Sequence, residues 1–239
     1  MNAARASDRA EPQRDASERA QVTPAVEDYL KAIYQLSDEG AAVSTSAIAE
    51  RLGVAAGSVT GMLKRLAEQG LVEHVRYYGT RLTGEGAENA IRTIRRHRVL
   101  ELFLVQVLGY TWDRVHEEAE RLEHAVTDEM IDRMANVLGG PAEDPHGAPI
   151  PAPDGEFSET RYMSLAELEP GQRAVLRRVP DESGEALRYL ASLDLVPGAE
   201  VEILERAPFN GPLTVRIGSE QRIIGRELAT ALGVEPLSP

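Results

Sequence analysis

The chain has 239 residues, enough for two or three modest domains that each bury a core. It contains no cysteine, which excludes disulfides, thiolate metal sites and cysteine nucleophiles, and no apolar run approaches the roughly 18 residues of a membrane span. The net charge of −13 argues against nucleic acid only until it is divided: residues 44–82 carry five Lys or Arg against three Glu, whereas residues 84–155 carry seven Arg against fourteen Asp or Glu. A basic module is thus joined to an acidic one that bound cations would neutralise. The N-terminus lacks the apolar core of a signal peptide, so a soluble, cytoplasmic protein is expected.

Residues 1–21 are rich in Ala, Arg, Asp, Glu and Ser and read as a disordered tail. A first helix is expected from Thr23-Pro24, with Val26, Tyr29, Leu30, Ile33 and Leu36 as its buried stripe and Asp28 beside it. Near a helix start, a carboxylate such as Asp28 either favours the helix dipole or serves as a ligand.

The segment STSAIAERLGVAAGSVTGMLKRLAEQ, 44–69, has helix-turn-helix form. Ser44 or Thr45 caps a short helix, Gly53 turns the chain, and a second helix runs from about Ala56 to Gln69. Ala47, Ile48, Leu52, Val54, Val59, Met62, Leu63 and Leu66 are expected to pack the pair. The start of the second helix offers Ala56, Gly57, Ser58 and Thr60, small and polar enough to approach base edges and phosphates, and Lys64 and Arg65 extend it as a basic edge. Residues 71–75 and 81–83 then read as a hairpin wing carrying Arg76 and Tyr78. Ser44, Thr45, Ala56, Gly57, Ser58, Thr60, Lys64, Arg65, Arg76 and Tyr78 are the candidate DNA contacts. A purely structural helix pair is the alternative.

From Thr83 a long helix leads into HRVLELFLVQVLGYTWDRVHEEAERLEHAV, where the chemistry is concentrated. His97 and Glu101 are four apart and share one helical face. After the break at Gly109-Tyr110-Thr111, His116, Glu120, Glu123 and His124 share a face of a second helical pattern. Taken singly, such residues usually form solvated faces. Beside apolar Val99, Leu100, Phe103, Leu104, Val115, Ala119, Leu122 and Val126 their charges need partners, and a divalent metal of intermediate hardness satisfies them together. Ile91, Ile94, Leu100, Phe103, Leu104 and Val107 with Met130, Ile131, Met134, Val137 and Leu138 offer either a dimer interface or packing within one subunit.

A proline-glycine stretch, 139–155, marks a boundary, and its His146 reads as an exposed loop histidine without a ligand role. Beyond it, short β-branched runs separated by Gly and Pro turns suggest a small SH3-like barrel, with a helix from Gly184 to Leu193 and Arg226-Glu227-Leu228-Ala229 closing the chain. The expected architecture is mainly α with small β parts: tail 1–21, winged helix-turn-helix 22–83, helical dimerisation and metal-binding domain 84–140, linker 141–159, and SH3-like domain 160–239.

VEDYLKAIYQL at 26–36, the helix-turn-helix and wing at 44–83, and above all RHRVLELFL at 96–104 with VHEEAERLEHAVTDE at 115–129 resemble the diphtheria toxin repressor family of metal-dependent transcriptional repressors. The resemblance implies a homodimer on a double-stranded DNA operator, with no enzymatic activity, no small organic substrate and no membrane role. It implies two metal sites per subunit: His97, Glu101 and His116 in one, completed in some members by barrel residues such as Asp181 and Glu182, and Asp28, Glu120, Glu123 and His124 in the other. Iron-sensing members carry Met and Cys at the positions of Asp28 and Glu120. Carboxylates there suit Mn(II), with Fe(II) as the alternative, and the carboxylate that closely paired manganese sites use one helical step after the aspartate is replaced by Lys31. Two other classes stay open on the residues alone: a metal-dependent hydrolase, which leaves the helix-turn-helix unexplained, and a metal-independent DNA-binding protein.

Overall fold

The computed structural model describes residues 22–38, 40–158, 160–181 and 183–237. The expected tail and Glu182 lie outside them. Three cores follow one another along the chain. In the first, helix α1 (Pro24–Leu36) buries Val26, Leu30 and Ile33 against α2 (Thr45–Leu52) and α3 (Ala56–Glu68). Ser44 caps α2 through the Ala47 N–H, and Gly53 turns the chain at φ +64°. Val54, expected in this core, is 38% exposed, because the turn points it outward.

Strands β1 (Val72–Val75) and β2 (Gly79–Leu82) pair as the antiparallel wing. The wing is fastened to the chain before α2 by reciprocal bonds between Val43 and Thr80. Gly79 allows this close approach: its φ is +117°, and a methyl group added there would stand only 2.0 Å from the Val43 carbonyl oxygen. Gly79→Ala is therefore expected to displace the wing and cost about 2 kcal/mol, lowering the melting temperature by about 4 to 8 °C, as calorimetry would show.

Helix α4 (Gly84–Gln106), capped by Thr83, is the spine of the middle region. Against it pack α1, α5 (Val115–Leu122) and α6 (Asp128–Val137), with Val99, Leu100, Ala119 and Ile131 buried between them. Helix α5 is shorter than the sequence pattern suggests: Glu123 is its C-cap and His124 lies in the turn beyond. Ile94, Leu100, Leu104 and Ile131 are consumed by packing within one subunit, while Val107, Leu108, Tyr110, Met130 and Val137 stay exposed.

The last region is a six-stranded antiparallel sheet, β3 (Met163–Ser164), β4 (Arg173–Arg178), β5 (Glu200–Arg206), β6 (Leu213–Ile217), β7 (Glu220–Ile224) and β8 (Gly233–Pro236), in the order β3-β8-β4-β5-β6-β7. Helices α7 (Gly184–Ser192) and α8 (Arg226–Ala231) accompany it. The final helical element does not close the chain: β8 follows it and inserts between β3 and β4, where Val234 completes the core. Among the described residues no helix is long and apolar enough to cross a membrane.

Candidate metal centre and DNA-reading surface

Three elements converge on one buried polar region. Helix α4 supplies His97 and Glu101, α5 and its following turn supply His116, Glu120, Glu123 and His124, and α1 supplies Glu27, Asp28 and Lys31. The four-residue step from His97 to Glu101 turns both inward, where Glu101 and Glu123 are fully buried.

The first set centres on Asp28, Glu123 and His124, whose ligand atoms lie within 4.8 Å of one another. His124 Nε2 is 2.9 Å from Asp28 Oδ1 and 3.5 Å from Glu123 Oε1. Its Nδ1 is 2.5 Å from Glu27 Oε2, and the other Glu27 oxygen is held by Arg96. A carboxylate only accepts, so Nδ1 donates to Glu27, and Nε2, which faces Asp28 and Glu123, is the ring nitrogen that a metal would take. This is the carboxylate–histidine support that metal-ligating imidazoles use. Burial raises the Asp28 carboxyl above its ordinary range, against the opposing pull of His124 and Lys31. Glu27 did not stand out in the sequence; its one signal was its place beside Asp28.

The second set holds His97, His116 and Glu120 within the same span. His97 Nε2 is 3.0 Å from Glu101 Oε1 and 3.1 Å from His116 Nδ1, and Glu101 Oε1 is 3.2 Å from His116 Nδ1. His97 Nδ1 meets Glu123 Oε2 at 2.6 Å. Burial alone would lower the His97 imidazole, but Glu101 and Glu123 outweigh it and raise its pKa to about 10. The same cluster holds Glu101 well below the usual carboxylate range despite its burial. His97 therefore bridges the two sets through Glu123. Glu120 stands between them, 3.6 Å from His97 Nδ1.

Lys31 occupies the middle of this arrangement. Its Nζ lies 2.6 Å from both Glu120 Oε1 and Glu123 Oε1. Burial pulls the ammonium down, but Glu123 and Glu120 more than compensate and hold it above the ordinary lysine range. A lysine at this position thus neutralises two candidate ligands.

His146 is a correction to the sequence reading. It is fully buried rather than exposed, and together with Asp144 it packs against Glu101. Asp181, from the barrel region, falls in that same group. A cleft of about 1000 Å³ lined by His97, His116, Glu120 and Asp181 opens beside these residues.

On the other side of the first core, Ala56, Gly57, Ser58, Thr60, Lys64 and Arg65 are all exposed along α3, as are Ser44, Arg76 and Tyr78, with Thr45 half-buried. Ala55 at the N-cap of α3 offers no side-chain acceptor, so no side chain caps the helix start, while the Ser58 and Val59 N–H groups donate to the Ala55 carbonyl. The Arg76 guanidinium lies over the Tyr77 ring at 4.7 Å on the wing.

A winged helix-turn-helix followed by a helical centre of imidazoles and carboxylates defines a DNA-binding protein built around metal sites. Residues 21–80 match the family description "Iron dependent repressor, N-terminal DNA binding domain", residues 83–152 "Iron dependent repressor, metal binding and dimerisation domain", and residues 163–236 "FeoA domain". The iron-dependent repressor IdeR of Mycobacterium leprae (strain TN) is 32% identical over 220 residues, covering 87% of this chain and 95% of the relative. The diphtheria toxin repressor of Corynebacterium diphtheriae is 28% identical over 219 residues, covering 87% and 96%. A manganese-dependent transcriptional repressor solved in complex with manganese superposes with a TM-score of 0.81 at 39% identity, covering 89% of this chain and all of that one. The manganese regulator SloR superposes at 0.75 and 36%, covering 89% and 98%. The chain belongs to the diphtheria toxin repressor family of metal-dependent transcriptional repressors.

Proposed function

We propose that the protein is a Mn(II)-activated, homodimeric repressor of metal-uptake genes. The observation that carries this reading is the meeting of Asp28, on the first helix of the DNA-binding domain, with Glu123 and His124 on the helical scaffold. The residues fit a hard-to-intermediate divalent ion: oxygen donors dominate, the imidazoles of His97 and His124 carry supporting carboxylates, and no thiolate or thioether takes part. Asp28, Glu120, Glu123 and His124 would hold one ion, and His97, Glu101 and His116 a second. When bound, Mn(II) supplies the positive charge that lets these carboxylates stand together.

Without that charge, Asp28 rests on a histidine contact, and α1 is tied to the scaffold by its packing on α4 and by the ion pairs of Lys31 and Glu27 with Glu120, Glu123, His124 and Arg96. With Asp28 fixed, α1 and the α2–α3 pair packed on it hold one orientation relative to the scaffold. A shift from 1% to 99% competent protein requires about 10⁴-fold preference of the ligand for the competent form, or about 5.5 kcal/mol. The exposed Val107, Leu108, Tyr110, Met130 and Val137 supply the apolar face through which two scaffolds pair, so that two recognition helices reach successive major grooves.

Lys64 and Arg65 serve as phosphate contacts. Replacing either with Ala is expected to weaken binding to all DNA sequences alike and, at one contact per protomer and two per dimer, to reduce the slope of log affinity against log salt by about 2. A change confined to one base position would instead make the residue a base reader.

Relatives named as iron-dependent give a second reading, Fe(II) activation. The test is operator binding titrated with Mn(II) and separately with anaerobic Fe(II). Retardation at lower free Mn(II) supports the proposal, since Asp28 and Glu120 provide none of the softer donors that favour iron. Equal response to both ions keeps the family and removes the manganese specificity.

A further inference from the structure

The chain between the metal-binding helices and the barrel has the composition of a spacer, yet it is fastened along its length. From α4, Arg98 donates to the Pro149 carbonyl, and Arg95 Nη1 donates to the Pro151 carbonyl at 2.7 Å. Ile150 packs on the core shared by α4, α5 and α6. A tight turn follows: the Gly155 N–H donates to the Ala152 carbonyl at 3.1 Å, the Ala152 N–H donates to the Glu156 carbonyl at 3.0 Å, and Gly155 takes φ +85°. A segment that only has to span a distance needs none of these bonds.

The turn delivers Phe157, the one residue of 153–158 that is not exposed. Its ring stands between two elements. On one side is the Tyr34 ring, 6.0 Å away between centroids and tilted by 34°. On the other is the Arg98 guanidinium of α4, 5.4 Å from the ring centre. Tyr34 lies in the last turn of α1 and packs on the core of the DNA-binding domain, so Phe157 joins that domain to the helical scaffold. Asp28 lies nearly two turns earlier on the same helix, roughly 9 Å away along its axis. The metal centre and the Phe157 contact therefore hold α1 at two separate points. Farther along, Arg161 pairs with Asp38 in the loop after α1, but both side chains are largely exposed and such a pair adds little.

We infer that Phe157 is a positioning residue for metal-dependent DNA reading: through Tyr34 it holds α1 in the orientation that brings Asp28 to His124. The two contacts occur together in one structure, so the arrangement that Phe157 favours is the one in which Asp28 meets His124. The aromatic contact supplies part of the competent orientation before any ion binds. The ion supplies the rest, and its apparent affinity scales with the fraction of protein that is already competent. The linker thus sets the Mn(II) concentration at which the protein responds, while leaving unchanged the number of ions held and the operator affinity of the loaded form. This inference rests on the metal-activated reading above, and a measurement on the metal-free protein separates the two.

The test compares full-length Phe157→Ala and Phe157→Tyr with the wild type. Phe157→Ala is expected to raise the Mn(II) concentration for half-maximal operator binding by about 5- to 50-fold, the range that an aromatic pair and a cation–π contact reach together. Bound Mn(II) per subunit and operator affinity at saturating Mn(II) stay at the wild-type values, and Phe157→Tyr, which keeps the ring, restores the midpoint. In the metal-free Phe157→Ala protein, the backbone amides of residues 33–36 exchange hydrogen faster than in the wild type, while those of α3 are unchanged. A folded Phe157→Ala with the wild-type midpoint and wild-type exchange in α1 would overturn the inference and reduce the ring to packing for the linker. A lowered midpoint would overturn it as well, because the contact would then hold α1 away from the competent orientation. A wild-type protein indifferent to Mn(II) would refute the metal-activated reading, and exchange in metal-free α1 would still decide whether Phe157 holds that helix.

Discussion

Asp28→Ala is expected to abolish the metal response while leaving the protein folded. The Asp28 side chain is 41% exposed, so its removal opens no cavity in the α1 core, and Leu30 and Ile33 keep their packing. What is lost is the one carboxylate that α1 contributes within reach of His124 Nε2. Outer-sphere partners alone alter metal affinity by about 10- to 100-fold, so loss of a direct ligand is expected to raise the Mn(II) concentration for half-maximal operator binding by about 100-fold or more. Gel retardation across a Mn(II) titration measures this, with circular dichroism as the control for folding. A variant that responds at the wild-type concentration would remove Asp28 from the ligand set.

The second large effect is expected at Lys31. Its ammonium is the internal counter-charge of Glu120 and Glu123, and Glu123 is fully buried. Lys31→Met keeps the apolar length of the side chain and deletes the charge. Breaking a buried pair by removing one partner costs about 3 to 5 kcal/mol, because the other charge is left uncompensated. Metal-free Lys31→Met should therefore melt about 10 °C or more below the wild type. Added Mn(II) should recover most of that difference, since the freed carboxylates gain a cation. The same freedom should lower the Mn(II) concentration at half-saturation, because the ion no longer competes with the ammonium for Glu123. Differential scanning calorimetry with and without Mn(II) reads both effects. An equal loss of stability in both conditions would mean that Lys31 acts by packing alone.

Much of the centre was legible because helical periodicity is local. His97 and Glu101 are four apart on a helix that runs well past both, and His116 and Glu120 repeat that step on α5, so their shared faces follow from spacing. Glu123 and His124 reach the centre by a different route: α5 stops at Leu122, and the turn redirects them. Contacts across the chain were not legible. His124 finds Glu27 across 97 residues, a pairing that no periodic pattern encodes. Lys31 was visible as a departure from a paired carboxylate site, but its double ion pair depends on how α1 lies against α5. His146 was read wrongly because a Pro- and Gly-rich stretch usually runs over the surface. Here the Asp144 side chain folds 144–148 into a tight turn, and the barrel region covers it. The last strand was missed for a similar reason: Gly233–Pro236 is short, and only its place between β3 and β4 makes it a strand.

The most direct test of metal-dependent repression is operator binding by the wild-type protein under three conditions: metal-free, with Mn(II), and with Mn(II) followed by excess chelator. A labelled promoter fragment of a manganese- or iron-transporter gene from the source genome serves as probe. Retardation that requires Mn(II) and is reversed by chelator is the predicted result. Retardation that is the same under all three conditions would contradict it, and the imidazole and carboxylate centre would then be a scaffold for a metal-independent DNA-binding protein.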